Sequence, residues 1–237
     1  MNCMTYTSQP TALITGGSKG LGRALARALG ERGWHLVLDA RDPTALESVA
    51  AEIPSALVVP GDVTDAAHRD VLTASIATLG RLDLLVNNAS DLGPSPLPAL
   101  AGYPLDALRT VYETDVVAPV ALTQLLLPRL RAVNGTVVNV SSDAAVEAYP
   151  TWGGYGSAKA ALDHLSAVLA VEEPELRVYA VDPGDMRTDM HQAAFPGEDI
   201  SDRPAPDAVV PALLRLLDER PASGRYRAAE WTAVTAG

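Results

Sequence analysis

The sequence predicts an α/β fold, an open doubly wound sheet of about seven parallel strands with helices on both faces. Three observations predict it. Short apolar runs alternate with segments of helical periodicity from Thr11 onward. The first run ends in a glycine-rich loop that opens directly into a helical pattern. No internal repeat or low-complexity break interrupts the 237 residues, so residues 1–237 read as one domain, an ordinary size for this class.

Thr11–Thr15 is the first strand, and Gly16-Gly17-Ser18-Lys19-Gly20-Leu21-Gly22 follows it. Leu21, Ala24, Leu25, Ala28 and Leu29 then fall on one helix face, and Gly33 closes the helix. Strand, glycine loop and helix form the context of a dinucleotide site: the glycines let the backbone turn and approach a pyrophosphate, and the helix N-terminus stabilises its charge. Two other motifs overlap this loop. Gly16-x-Ser18-x-Gly20 fits the nucleophile elbow of hydrolases, but too little chain precedes Ser18 to supply the strands that carry an oxyanion loop. A Walker loop needs Gly-Lys-Ser/Thr where the chain has Gly22-Arg23-Ala24.

The second strand starts at His35 and ends in Asp39-Ala40-Arg41. In a dinucleotide fold this end reads the adenosine ribose; an acid prefers a free 2′-hydroxyl and a base prefers a 2′-phosphate. The chain offers both, with Lys19 as a second base. A helix over 43–52, strand Ala56–Pro60, the turn Gly61-Asp62-Val63, helix Ala66–Leu79 and a strand over 82–87 follow. Asn87-Asn88-Ala89-Ser90 closes that strand, where open α/β sheets bind ligands; local turn hydrogen bonding is the ordinary role of such asparagines. The loop over 91–104 is long enough to wall a pocket. A long helix over 104–131 is expected to bend at Pro119, and it is apolar enough to be covered on both sides, in part by another subunit. The fifth strand, from Thr136, ends in Ser141-Ser142. A helix over 151–172, strand Arg177–Asp182 with Pro183-Gly184 after it, a polar stretch over 185–206 that forms a candidate lid, a helix over 206–219 and a short strand over 225–228 complete the chain.

Composition narrows the function. A net charge of −11 and a pI near 4.7 argue against nucleic acid or anionic membrane as partner, since both select basic faces. No apolar run approaches the ~20 residues of a membrane span. Residues before Pro10 show neither a basic nor an apolar signal region, so no secretory leader is expected. The one cysteine, Cys3, lies in a stretch, residues 1–10, expected to be flexible, and permits no disulfide within the chain, which fits a cytoplasmic protein. The glycosylation-like triplets at Asn88, Asn134 and Asn139 read as chance or as parts of other motifs. No spacing of His, Cys or Asp suggests a metal.

The chemistry centres on Tyr155-Gly156-Ser157-Ala158-Lys159. Tyrosine and lysine four apart stand one helical turn from each other. An ammonium beside a phenol favours the phenolate and brings it toward acid–base work near neutral pH. The ordinary alternative is a half-buried aromatic beside a solvated lysine.

Taken in order, Thr15 to Gly22, Asp62-Val63, Asn87-Asn88-Ala89, Ser142, Tyr155 to Lys159, and Pro183-Gly184 followed by Thr188 resemble the short-chain dehydrogenase/reductase family over nearly the whole chain from Thr11. The thirteen residues from Ser142 to Tyr155 also match. The resemblance implies a Rossmann-type sheet, an oxidoreductase, and a homodimer or homotetramer. It implies that Tyr155 is the general acid in reduction, that Lys159 lowers the phenol and holds the nicotinamide ribose, and that Ser142 hydrogen-bonds the carbonyl oxygen. It implies a cofactor held by Gly16, Ser18, Lys19, Gly20, Leu21 and Gly22 at the pyrophosphate, Asp62 and Val63 at adenine, Asn88 and Ala89 along the adenosine side, and Pro183, Gly184 and Thr188 at the nicotinamide. The family's acidic NAD-selecting position falls on Ala40, whereas Arg41 and Lys19 match its basic ones, so NADP(H) is expected. Asp39 would face the other side of the strand.

Two positions depart from the family's pattern. Asp115 stands where most members carry an asparagine that helps seat a water linked to the lysine; a carboxylate there adds charge, loses the amide donor and, when ionised, weakens the effect of Lys159 on Tyr155, so Asp115 is expected to be a catalytic residue with the family's relay in altered form. Ser90 replaces a glycine and is expected to narrow the cofactor cleft. The substrate pocket is expected over 91–98, 144–152 and 186–206, with Tyr149, Trp152, Met186, Met190 and Phe195 making it suit an uncharged, aromatic or cyclic ketone. His191 reads as a solvated loop residue rather than a substrate contact. A weaker similarity points to the sepiapterin-reductase-like branch. The expected activity is reduction of a ketone or aldehyde by NADPH. The alternatives are an alcohol dehydrogenase in the oxidative direction and a non-catalytic NADP-binding sensor.

Overall fold

The computed structural model describes residues 9–53 and 55–231. The expectation about residues 1–10, with Cys3, lies almost wholly outside the described residues. Among the described residues, seven strands form one parallel sheet in the order β3-β2-β1-β4-β5-β6-β7: β1 Thr11–Thr15, β2 His35–Ala40, β3 Ala56–Pro60, β4 Leu84–Asn87, β5 Thr136–Val140, β6 Arg177–Asp182 and β7 Gly224–Arg227. Strand order reverses between β1 and β4, so their carboxyl ends open a crevice.

The strands are apolar throughout because both faces are covered. Ala12, Ile14, Leu36 and Leu38 face α1 (Gly20–Glu31), α2 (Pro43–Ala50) and α8 (Val210–Glu219). Their neighbours Leu13, Val37, Leu85 and Val137 face α3 (Ala66–Leu79) and α5 (Ala118–Ala132). Helix starts follow local chemistry: Asp42 and Asp65 cap α2 and α3 by accepting from Ala45 and Ala67.

The expected helix over 104–131 is three pieces. α4 (Leu105–Tyr112) passes into a π turn, Glu113–Val117, and then α5. Pro119 has no N–H to give to the carbonyl four residues back, and the wider turn absorbs that loss, with Ala118 N bonding Glu113 O instead. The turn leaves Asp115 fully buried. The expected helix over 206–219 is likewise a 3₁₀ turn, Pro206–Ala208, followed by α8. α6 (Gly153–Glu172) begins two residues later than expected, and α7 (Asp189–Ala194) and α9 (Ala228–Trp231) are short helices that periodicity did not reveal.

Candidate active site

A cleft of about 570 Å³ runs along the carboxyl ends of the strands. Its floor is a clamp between β1 and β4. Thr15 Oγ1 accepts from the N–H groups of Asn88 and Ala89, both at 3.0 Å, and Asn88 Nδ2 donates to the carbonyls of Thr15 and Gly16. Asn88 Nδ2 is therefore spent on the protein's own backbone, while the residue also lines the cleft. Gly22 is required by this clamp: a Cβ there would lie 2.4 Å from Gly16 O. Lys19, at the N-cap of α1, offers no side-chain cap and the first turn carries no acid, which leaves the positive helix end to an anion. The cradle fits the pyrophosphate of a dinucleotide.

Arg41, Asp62 and Val63 line the cleft beyond the ends of β2 and β3. Asp62 Oδ1 accepts from Thr64 N and Thr64 Oγ1, so the turn role is real for one of its oxygens. Asp39 shares a face with Val37, as its position predicted, and its carboxyl is taken by His68 Nε2 at 2.6 Å. Burial pushes Asp39 up to about 6, against the pull of His68. Lys19 reaches Asp189 at the start of α7, with Nζ 3.0 Å from Oδ2.

At the other end stand Ser142, Tyr155 and Lys159. α6 starts close against the Ser142 loop: a Cβ on Gly156 would meet Ala144 O at 2.6 Å. Ser142 Oγ donates to Asp143 Oδ1 at 2.9 Å, and Ser142 O accepts from Arg225 Nη2 at 2.9 Å. Lys159 is 2% exposed, which removes the solvated-lysine alternative. Its Nζ donates to Val140 O at 2.9 Å, lies 5.4 Å from the centre of the Tyr155 ring, and stands 3.6 Å from Asp115 Oδ1.

These groups titrate together. Burial holds the Tyr155 phenol above its ordinary value; Lys159 lowers it, Asp115 raises it, and the Ser90 and Ser142 hydroxyls lower it. The expectation that Lys159 brings the phenol down holds for the lysine's own effect, but burial outweighs it. Burial also holds the Asp115 carboxyl above the usual carboxylate range, against Lys159. Burial lowers Lys159, yet Asp115 and Tyr155 bring it above its ordinary value. That rise requires an ionised Asp115, so the two shifts describe one pair and not two independent groups.

Other expectations need correction. Ser90 does more than narrow the cleft, since its hydroxyl is buried beside Asp115 and Tyr155. Trp152, Met186 and Met190 line the cleft, but Tyr149 turns outward to Glu147 and Asp143, where its hydroxyl finds two carboxylates. Phe195 sits behind Trp152 and His191, with ring centres 6.0 and 4.9 Å away. The His191 side chain is 9% exposed rather than solvated; burial under Phe195 places it in the wall of the cleft. Thr188 lines the cleft and caps α7 by accepting from His191 N. Pro183-Gly184 lines it too, and Gly184 N donates to Asp182 Oδ1.

Sequence reasoning missed Arg225, which bridges Ser142 O, Asp163 and Asp182. It also missed a buried polar chain in which Asn87 donates to Asn139, Asn139 to Ser166, and Ser166 to Leu162 O, tying β4, β5 and α6 together. The available signal was an asparagine inside an otherwise apolar strand.

A doubly wound sheet with a glycine cradle at its switch point and a buried Tyr–Lys pair in the same cleft defines a nicotinamide-dependent class of oxidoreductase. Residues 10–199 match the short chain dehydrogenase family, and the chain belongs to that family, whose members are oxidoreductases that use nicotinamide cofactors on small molecules. It is 34% identical to an uncharacterized oxidoreductase of Schizosaccharomyces pombe over 79% of this chain and 75% of that one. It is 36% identical to sepiapterin reductase of Meriones unguiculatus, covering 77% and 76%. The structure of an alcohol dehydrogenase of Thermococcus sibiricus complexed with 5-hydroxy-NADP superposes with a TM-score of 0.84, at 25% identity, covering 93% and 96%. Among the described residues, no helix is long and apolar enough to cross a membrane.

Proposed function

We propose that this protein reduces a ketone or aldehyde to an alcohol with NADPH, and that Tyr155 is the general acid. The observation that carries the reading is the buried Tyr155 beside Lys159, in one cleft with the glycine cradle. The nicotinamide, when bound, supplies the hydride. Tyr155 gives its proton to the carbonyl oxygen as charge develops there. Ser142 hydrogen-bonds the same oxygen and orients it. Lys159 holds the nicotinamide ribose and keeps a positive charge beside the phenol. The cradle from Gly16 to Gly22 holds the pyrophosphate, Asp62 and Val63 take the adenine, Asn88 shapes the backbone with Ala89 beside it, and Pro183, Gly184 and Thr188 meet the nicotinamide.

Cofactor choice rests on charge. Asp39, near the end of β2, is engaged by His68, whereas Arg41 is exposed at the cleft and Lys19 has only a surface partner. Both bases suit a 2′-phosphate, and the alcohol dehydrogenase described above was solved with an NADP derivative. Leu92, Trp152, Met186 and Met190 suit an uncharged ring-bearing carbonyl. In this reading the whole chain is one domain, residues 185–206 serve as its lid, and the protein works in the cytoplasm. The exposed Leu125 on α5 and Leu165, Val168 and Val171 on α6 suit a homodimer or homotetramer.

A screen of ketones and aldehydes following NADPH absorbance tests the activity. The expected result is turnover with at least one uncharged ketone, lost in Tyr155→Phe. Turnover that survives this substitution would overturn the role of Tyr155.

A further inference from the structure

Two buried oxygens at the reaction centre lack a partner. Ser90 Oγ and Asp115 Oδ2 are both sealed from solvent, and among the described residues neither closes a hydrogen bond with a protein atom. A buried hydroxyl or carboxyl oxygen left unpaired costs free energy, so finding both at one spot points to a use. The two residues are tied through the backbone. Asp91 N, the next amide after Ser90, donates to Asp115 Oδ1 at 3.1 Å and holds that carboxyl against the loop carrying Ser90. The Ser90 hydroxyl stands near enough to act as a donor toward both the Asp115 carboxyl and the Tyr155 phenol. Ser90 and Asp115 are also the two departures from the family pattern noted above, and they stand together in space.

A hydroxyl has one donor and two acceptor sites, and its proton swings freely. Resting on the reduction proposed above, we infer that Ser90 is a relay residue that returns a proton from Asp115 to Tyr155 after Tyr155 has protonated the substrate. The Tyr155 O–H bond breaks as its proton joins the carbonyl oxygen. The Ser90 O–H bond then breaks to restore the phenol, and the Asp115 O–H bond breaks to restore the serine. Only protons move in these steps. The carboxylate that remains lies 3.6 Å from Lys159 Nζ, whose charge offsets it. Burial of Asp115 keeps its proton bound at a higher pH than an ordinary carboxyl would allow, and its charge acts on Lys159 and Tyr155 only once that proton has left. The titratable groups facing Asp115 are Lys159 and Tyr155 from α6, Asp91 from the loop after β4, and Tyr103 from the segment before α4; Asp163 acts on Lys159.

Ser90→Ala, Ser90→Thr and Asp115→Asn in the full chain test this, with two readouts. The first needs no substrate: carbon-13 tyrosine NMR, with Tyr155→Phe identifying the resonance, follows the phenol through its titration. Ser90→Ala is expected to shift that resonance and raise its midpoint, and Ser90→Thr to restore it. The second is steady-state reduction by NADPH, in which each new turnover needs the phenol restored. Ser90→Ala and Asp115→Asn are each expected to slow it by about tenfold, the loss of one hydrogen bond. The double variant should be no slower than the slower single one, because the two act in series. An unmoved Tyr155 resonance, or losses that multiply in the double variant, would overturn the relay. A wild-type protein that titrates as described but reduces no carbonyl would overturn the reduction reading instead.

Discussion

Arg225 holds the backbone of Ser142 from across the sheet edge: its Nη2 donates to Ser142 O at 2.9 Å while its Nε binds Asp163 Oδ2 at 2.9 Å. β7 therefore supports the Ser142 loop without lining the cleft. Asp182, 3% exposed, takes a third contact from the same guanidinium at 3.4 Å. Arg225→Ala is expected to lose about 1–3 kcal/mol of stability, since two shielded carboxylates lose a charged partner. It should also lower kcat by about tenfold as the Ser142 loop loosens. Arg225→Lys should restore little, because one ammonium cannot span three acceptors. Chemical denaturation and steady-state kinetics on the three proteins check this; a full rescue by lysine would sink the bridging role.

Cofactor selectivity gives a second test. Lys19 and Asp189 are both largely exposed, and such pairs contribute about 0–1 kcal/mol. A 2′-phosphate would therefore displace Asp189 easily. Arg41→Ala should raise KM for NADPH by about tenfold, the scale of one charge-assisted contact, and leave NADH use nearly unchanged. Asp189→Ala should lower KM for NADPH modestly by freeing Lys19. Comparison of kcat/KM for both cofactors decides the matter, and a wild-type preference for NADH would count against NADP(H).

Much of the fold was legible because punctuation sits where elements end. Glycine, proline and aspartate bracket β1, β3, β6 and α3, whose limits match their expected positions. The long helix was misread for a physical reason: apolar periodicity cannot distinguish an α turn from the π turn at Glu113–Val117, and Pro119 signalled only a bend. The motifs near the cleft were legible because each is local in sequence. Arg225 was not, since it meets a carbonyl 83 residues away and its neighbours Gly224 and Tyr226 carry no motif. Ser90 was visible only as a changed residue; its proximity to both Asp115 and Tyr155 depends on how the β4 loop meets the π turn and α6.

The charge of Asp115 sets a third expectation. Asp115 raises the Tyr155 phenol, so replacing its carboxylate with an amide should let Tyr155 ionise at lower pH. Reduction needs the protonated phenol, and the alkaline limb of the pH–rate profile in Asp115→Asn should move to lower pH. Asparagine keeps an oxygen for Asp91 N, so the fold is expected to survive. An unchanged profile would remove Asp115 from the proton chemistry.

The Asp39–His68 pair links stability to pH. Asp39 titrates at about 6 in the folded protein, above its ordinary value of 3.8, because burial outweighs the hydrogen bond from His68; Asp62 nearby pushes in the same direction as burial. The folded state thus binds more protons than the unfolded chain between these values. Its contribution to stability is full below about 4 and falls as pH rises through about 6, on the order of 3 kcal/mol in all. Asp39→Asn lacks this titration. Its stability relative to the wild type should rise across that window and level off above it, read by urea denaturation at a series of pH values. A constant difference between the two proteins from pH 4 to 7 would show that Asp39 is already ionised throughout and that His68 outweighs burial.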